Sequence, residues 1–126
     1  MRVPSNLLYT EDHEWILVDG EEATIGITDY AQGELGDIVM VETQDVGTVF
    51  EKGDSLGTIE AVKATADVYA PLSGEILEVN PALDDDPQII NNDPFEAGWI
   101  YRVRFSVPTE LDDLMSPDDY DEQIAD

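Results

Sequence analysis

The chain has 126 residues, of which 42% are hydrophobic, and it carries 30 acidic residues against five lysines and arginines. This apolar content can supply one core, and we expect a single domain over 1–126, with its core over about 8–108 and C-terminal helices over about 109–124. The net charge of −25 argues against binding to nucleic acid and to anionic membranes, whose phosphates would repel it.

The chain contains no cysteine, which removes disulfides, thiol nucleophiles and thiolate metal sites. Residues 1–6 lack the apolar core of a signal peptide, and no apolar run approaches membrane-spanning length. We therefore expect a soluble protein of the cytoplasm.

The acidic residues are spread along the chain rather than gathered in a tail. This distribution favours a protein from a halophilic, salt-adapted organism over an ordinary acidic protein that meets basic patches on its partners. At about 1 M salt the Debye length falls to roughly 3 Å, so self-repulsion is largely screened. We expect the melting temperature to rise between dilute buffer and multimolar KCl, and a melting temperature that stays constant or falls would contradict this prediction.

The first part of the chain predicts a hairpin and a short helix. Strands over 15–18 and 23–27 are joined by a polar Asp-Gly turn. Thr28 then offers an N-cap oxygen for a helix over 30–35, which ends near Gly36.

The middle of the chain predicts short strands at regular spacing. A strand over 38–42 is followed by turns over 45–54. Strands over 56–62 and 67–70 flank a tight turn, and a strand with alternating apolar and polar positions follows over 74–79. This spacing indicates a flattened barrel or sandwich.

Two turns separate these strands from the last one. The first, over 81–87, is a turn or a single helical turn bounded by prolines, and the second lies over 91–94. Residues 99–105 alternate and predict a strand.

Two short helices are predicted at the C-terminus. Thr109 caps a helix over 110–115, and Ser116 caps a second helix with Pro117 at its first position. The tail over 121–126 is expected to fray.

The residue with the clearest chemical potential is Lys63, one of only two lysines. It lies at the predicted hairpin tip, where an amine stands clear of the surface on a rigid support. The other lysine, Lys52, is expected to be an ordinary turn charge. His13 is the only histidine, and without a cysteine or a second histidine it forms no metal site, so we interpret it as structural.

Six stretches together resemble the H proteins of the glycine cleavage system, a family of lipoyl carriers. They are YTEDHEW (9–15), ATIGITDYAQ (23–32), LGDIV (35–39), IEAVKA (59–64), APLSGEI (70–76) and GWI (98–100). The resemblance implies a mainly β barrel-sandwich hybrid fold of the lipoyl and biotinyl type. That fold has two antiparallel sheets related by a pseudo-twofold axis, with short peripheral and C-terminal helices.

The resemblance also implies a role for each candidate site residue. Lys63 would carry lipoic acid through an amide bond, as N6-lipoyllysine. Glu60 would help the lipoate-attaching enzyme to recognise the site, and Asp67 would help to receive the loaded arm. Glu14 would lie in a cleft and hold the cationic amine of the cargo. The chain itself would be a non-catalytic carrier subunit.

The implied partners are glycine decarboxylase (P protein), aminomethyltransferase (T protein), dihydrolipoyl dehydrogenase (L protein) and the lipoate-attaching enzyme. The carrier would shuttle the aminomethyl group of glycine from the decarboxylase to the aminomethyltransferase, and a monomer suits such a shuttle. A lipoate depot or donor for other enzymes remains an alternative, as do a biotinyl-type carrier, an unmodified interaction module and an independent enzyme.

The residues around the tip bear on these alternatives. Biotin carriers usually have methionine on both sides of the lysine, whereas Val62 and Ala64 stand here. Lipoyl domains of two-oxoacid dehydrogenases usually have an aspartate before the lysine and lack the N-terminal His-Glu-Trp segment and the C-terminal helices. The sequence departs from the common H-protein pattern at Ala61 and Ala66, where serine is frequent, so any hydrogen bonds of those hydroxyls are absent.

Overall fold

The computed structural model describes residues 2–125 and contains two antiparallel β-sheets with short helices around them. The predicted fold class is therefore confirmed. The strands are β1 (Leu8–Tyr9), β2 (Glu14–Asp19), β3 (Glu22–Ile27), β4 (Ile38–Thr43), β5 (Val49–Phe50), β6 (Ser55–Ala61), β7 (Thr65–Tyr69), β8 (Gly74–Val79) and β9 (Tyr101–Phe105).

The two sheets share one principal core. The larger sheet has the order β1-β2-β3-β9-β8-β5, and the smaller has the order β4-β6-β7. The alternation of buried and exposed side chains along the strands favours this arrangement. In β9, for example, every second side chain is buried and the ones between are exposed. The buried side chains come from both sheets and include Ile16, Ile25, Ile76, Val103, Ile38, Ile59 and Val68.

A tyrosine joins the two sheets through the core. Tyr101 is fully buried on β9, and its hydroxyl donates to the carbonyl of Leu56 on β6. The same hydroxyl accepts the backbone N–H of Gln44 at 2.9 Å. A buried hydroxyl needs such partners, because leaving it unpaired would cost on the order of 1–3 kcal/mol.

The predicted first helix is confirmed as α1 (Asp29–Leu35). The Thr28 hydroxyl accepts the N–H of Ala31 at 3.2 Å, which satisfies one of the free donors of the first turn. The helix ends at Gly36, whose φ of 79° suits glycine and few other residues. The predicted hairpin before it is also confirmed, as β2 and β3.

Three short elements were not predicted. β1 and β5 are only two residues long, too short for a periodic signal. The stretch over 45–54, predicted as turns, therefore contains a strand. The turn predicted over 91–94 is wrong in part, since α3 (Ile89–Asn92) is helical and buries Ile90. The single helical turn considered over 81–87 is present as α2 (Ala82–Asp85).

The first C-terminal helix differs from the prediction. Residues Pro108–Asp113 form a 3-10 helix, and Thr109 is not its cap. Met115 exchanges backbone hydrogen bonds of 2.7 and 3.0 Å with Tyr9. This pairing holds Met115 in an extended bridge and keeps it out of any helix.

The second C-terminal helix, α4 (Pro117–Ile124), is confirmed with Ser116 as its cap. The expected fraying from residue 121 is wrong as far as Ile124, and residue 126 lies outside the described residues. Tyr120 explains the order, because it is fully buried and stacks on Tyr9 with ring centroids 4.6 Å apart. Among residues 2–125 no helix is both long and apolar enough to cross a membrane.

Gly74 lies where β8 meets β9 most closely. A Cβ built on Gly74 would be 2.1 Å from the carbonyl oxygen of Arg104, so the strands would have to separate. We expect Gly74→Ala to lower the free energy of unfolding by about 2 to 3 kcal/mol, as overpacked sites do. The control is Gly33→Ala on α1, where nothing lies within 4 Å and a gain of up to about 1 kcal/mol is expected. Urea denaturation measures both, and equal stabilities would contradict the prediction.

Candidate functional site

Lys63 lies at the tip of the hairpin that joins β6 and β7, and its side chain is exposed. The turn is held by the N–H of Ala61, which donates to the carbonyl of Ala64 at 2.8 Å. A second bond, from the N–H of Val62 to the carbonyl of Asp37 at 2.9 Å, anchors the tip to the segment after α1. The amine is thus presented on a supported turn.

The stem of Lys63 passes close to the end of α1. A Cβ built on Gly36 would lie 3.0 Å from the Lys63 Cε, so glycine at this position leaves room for the stem as well as allowing the positive φ. Leu35, the preceding residue, lines a neighbouring cleft. The lysine therefore emerges beside the edge of that cleft.

This cleft lies between β2, β3, α1 and the β6–β7 hairpin and has a volume of about 400 Å³. Its apolar lining comes from Ile27, Ala31, Leu35, Ile59, Ala66 and Val68. Its acidic lining comes from Asp12, Glu14, Glu34 and Asp67. Among the described residues that line it there is no lysine or arginine, so the cleft combines an apolar wall with negative charge.

Glu14 is the buried carboxylate of the cleft, with 1% of its surface exposed. It opens β2 on the same face as Ile16, which is a core position. One carboxylate oxygen accepts the Thr10 hydroxyl at 2.6 Å, and the other accepts the N–H of Tyr69 at 3.0 Å. Both oxygens are therefore oriented by the protein.

Burial raises the pKa of the Glu14 carboxyl from its ordinary value near 4.5 to about 7. The hydrogen bonds from Thr10 and Tyr69 oppose this rise because they favour the ionised form, and Asp12 adds to it through charge repulsion. Glu14 can thus exchange a proton near neutral pH, and a cation in the cleft would favour its ionised form.

His13 links the cleft to the C-terminal helix. Its Nδ1 lies 2.9 Å from the Tyr120 hydroxyl, and that hydroxyl lies 2.6 Å from the Thr28 hydroxyl. Burial lowers the pKa of the imidazole, against the opposing charges of Asp12 and Glu34, and so favours the neutral ring. These contacts agree with the structural interpretation of His13, although the residue also lines the cleft.

Asp67 and Glu60 take different places on the hairpin. Asp67 is exposed, lines the cleft and accepts the Thr58 hydroxyl at 3.1 Å. Glu60 is half-buried, does not line the cleft, and pairs across the sheet with Met40. The structure therefore places Glu14 and Asp67 in the lining of one cleft, whereas Glu60, on the neighbouring strand, lies outside that lining.

Lys52 lies in a different setting from Lys63. It borders a larger cavity of about 560 Å³ that Glu14 also lines. Its ammonium forms an ion pair of 2.9 Å with Asp113 on the 3-10 helix, which agrees with its interpretation as a turn charge. The two lysines thus form a natural pair for comparison.

Several residues of the site were missed in the sequence. Thr10 and the backbone of Tyr69 orient Glu14, and the apolar cleft wall comes from four separate elements. Strand alternation offered a signal for the burial of Glu14, because this residue stands two residues before the core residue Ile16. The other contacts are long-range and leave no local pattern.

Known proteins match this chain over nearly its full length. A family model described as glycine cleavage H-protein matches residues 7–126. The glycine cleavage system H protein of Chlorobaculum parvum is 52% identical over 127 residues, covering 99% of each chain. That of Staphylococcus haemolyticus is 48% identical over 125 residues, again covering 99% of each. A crystal structure of the H protein from Mycobacterium marinum has a TM-score of 0.84 and 38% identity, and covers 95% of this chain and 97% of that one.

Proposed function

Because the chain belongs to the family of glycine cleavage H proteins, we propose that a lipoyl group is attached to Lys63 through an amide bond. The chain is the carrier of the glycine cleavage system, which moves the aminomethyl group of glycine from the decarboxylase to the aminomethyltransferase. One observation supports Lys63 above all others. Its exposed amine stands on a hydrogen-bonded hairpin tip beside an apolar, acidic cleft.

The residues around Lys63 fit a long apolar arm. Gly36 leaves room for the stem, and the wall formed by Ile27, Leu35, Ile59 and Val68 would exclude water from an arm lying in the cleft. When bound, the lipoyl group supplies the sulfur chemistry that this cysteine-free chain lacks.

Glu14 and Asp67 suit the cargo, which ends in a primary amine that is cationic at neutral pH. We infer that the oriented carboxylate of Glu14 pairs with this ammonium, with Asp67 at the outer part of the cleft. A charge-assisted hydrogen bond keeps the amine protonated. Its lone pair is then unavailable to expel the neighbouring sulfur, so the cargo is lost to water more slowly.

The remaining roles extend this proposal. Glu60 serves recognition by the lipoate-attaching enzyme, and the carrier visits glycine decarboxylase, aminomethyltransferase and dihydrolipoyl dehydrogenase in turn. The chain is itself non-catalytic and acts as a monomer in the cytoplasm. A shuttle of this kind must leave one partner before it binds the next, which favours weak and transient contacts.

Intact mass and peptide mapping of protein from its native host test the proposal. We expect a lipoyl-sized increment on Lys63 and none on Lys52, which is the internal control. A biotin-sized increment would support the biotinyl alternative instead. Lys63 found free under growth conditions that require glycine breakdown would overturn the attachment and leave an unmodified interaction module.

A further inference from the structure

A β-bulge exposes two consecutive apolar side chains on β4, which is an edge of the three-stranded sheet. The register shifts between Ile38 and Met40, with Val39 as the extra residue. Ile38 is buried and Val41 packs against the core, whereas Val39 and Met40 are 54% and 47% exposed. Regular alternation would turn one of these two inward, so the bulge directs both to the surface.

Val62 brings a third exposed apolar side chain to the same region. It directly precedes Lys63, it is 75% exposed, and its N–H is bonded to the carbonyl of Asp37 just before β4. We call Val39, Met40 and Val62 the tip patch. Exposed apolar side chains that cluster at a chemical site indicate an interaction surface.

Acidic residues surround the tip patch. Glu60 stands opposite Met40 in the strand register, Glu42 follows two residues later on the same face, and Asp37 precedes the strand. The chain's other four basic residues, Arg2, Lys52, Arg102 and Arg104, all lie outside β4, β6 and β7. A complementary partner would thus present an apolar centre with a basic rim.

We propose that the tip patch is the docking surface of the lipoate-attaching enzyme, an inference that rests on the proposed function of Lys63. None of its three residues lines the cleft or the larger cavity. Partners that exchange cargo act at the far end of the arm and can bind on the cleft side. The attaching enzyme acts on the lysine amine itself and must cover the tip.

The chemistry of attachment requires this close contact. The deprotonated Lys63 amine attacks the acyl carbon of an activated lipoyl donor of the acyl-adenylate class. The N–C bond forms, the bond to the phosphate breaks with its electrons leaving on the phosphate, and the amine proton passes to a base or to solvent. Reacting atoms must approach to about 3–3.5 Å, while a standard interface covers about 800 Å² per partner. The interface must therefore extend from Lys63 onto neighbouring surface such as the tip patch.

The test uses the double variant Val39→Ser/Met40→Ser of the full unmodified chain. A bacterial lipoate–protein ligase with ATP and lipoic acid supplies the reaction, and intact mass follows the initial rate. We expect kcat/KM for lipoylation to fall at least tenfold, mainly through a higher KM. The matched control is Val46→Ser/Val49→Ser, which removes side chains that are 62% and 78% exposed away from the hairpin, and it should stay within twofold of the parent.

A second readout tests whether the surface is selective. After exhaustive lipoylation, the Val39→Ser/Met40→Ser protein should support glycine-dependent carbon dioxide exchange within twofold of the parent, with a similar melting temperature. An unchanged kcat/KM for lipoylation would overturn the tip patch and leave the attachment at Lys63 intact. If the Val39→Ser/Met40→Ser protein lost lipoylation and carbon dioxide exchange equally, the tip patch would not be selective for the attaching enzyme. An equal loss of lipoylation in the Val46→Ser/Val49→Ser control would overturn this selectivity as well. A parent protein that takes no lipoyl group at Lys63 would overturn the proposed function as well.

Discussion

A Lys63→Arg protein will accept no lipoyl group and will reduce glycine cleavage to the background measured without a carrier. Attachment needs an amine that can lose its proton and attack an acyl carbon. A guanidinium keeps its charge at any ordinary pH and offers no such nucleophile. Intact mass measures the attachment, and carbon dioxide release from labelled glycine with the purified partner enzymes measures the carrier activity.

Lys52→Arg is the matched control for this experiment. It makes the same chemical change in a turn and keeps a cation opposite Asp113. Full lipoylation and full activity are expected. Because Lys63 is exposed, its replacement should alter the free energy of unfolding by no more than about 0.5 kcal/mol. A lipoylated Lys63→Arg protein would contradict the assignment and point to another amine.

Local chemistry made much of the fold predictable. The start of α1 follows from the Thr28 side chain, which caps the first turn, and its end follows from Gly36, which adopts a positive φ. Both effects are local to one turn of the helix. The position of Lys63 at a hairpin tip followed from short strands on either side of it. That the chain is one domain, and that its stability depends on salt, remain predictions.

Long-range contacts account for what was missed. α4 stays ordered because Tyr120 stacks on Tyr9, more than a hundred residues away. Met115 is extended because it pairs with that same Tyr9. Glu14 was predicted as a site residue, but the contacts that orient its carboxylate come from Thr10 and from the backbone of Tyr69, which only the folded chain brings together.

Replacing Glu14 by glutamine will change how stability depends on pH. In the parent protein, folding raises the pKa of this carboxyl to about 7, so between pH 4.5 and 7 the folded state holds a proton that the unfolded state has lost. By linkage, this group makes the free energy of unfolding fall as pH rises through that window, by at most about 3 kcal/mol. Glutamine does not titrate, so the free energy of unfolding of the variant does not fall with pH through this group.

The measured quantity is the difference in free energy of unfolding between Glu14→Gln and the parent, from urea denaturation at pH 4.5 and pH 8. It should shift in favour of the variant by up to about 3 kcal/mol as pH rises. The lowered pKa of His13 acts in the opposite direction, but it is present in both proteins and cancels. Glu11→Gln, at an exposed glutamate nearby, is the control and should show less than about 0.5 kcal/mol of such shift.

The Glu14→Gln variant also tests whether the buried carboxylate, besides lowering stability at high pH, holds the cargo. A hydrogen bond to a charged group contributes about 1.5–3 kcal/mol, so the loaded carrier with Glu14→Gln should lose its amine to water at least tenfold faster than the parent at pH 7.5. Greater stability at high pH together with poorer retention would mean that the protein keeps a costly buried carboxylate for its interaction with a cation. Unchanged retention would refute the role of Glu14 in holding the cargo, whatever its effect on folding. The carboxylates nearer the mouth of the cleft, beginning with Asp67, would then be tested in the same way.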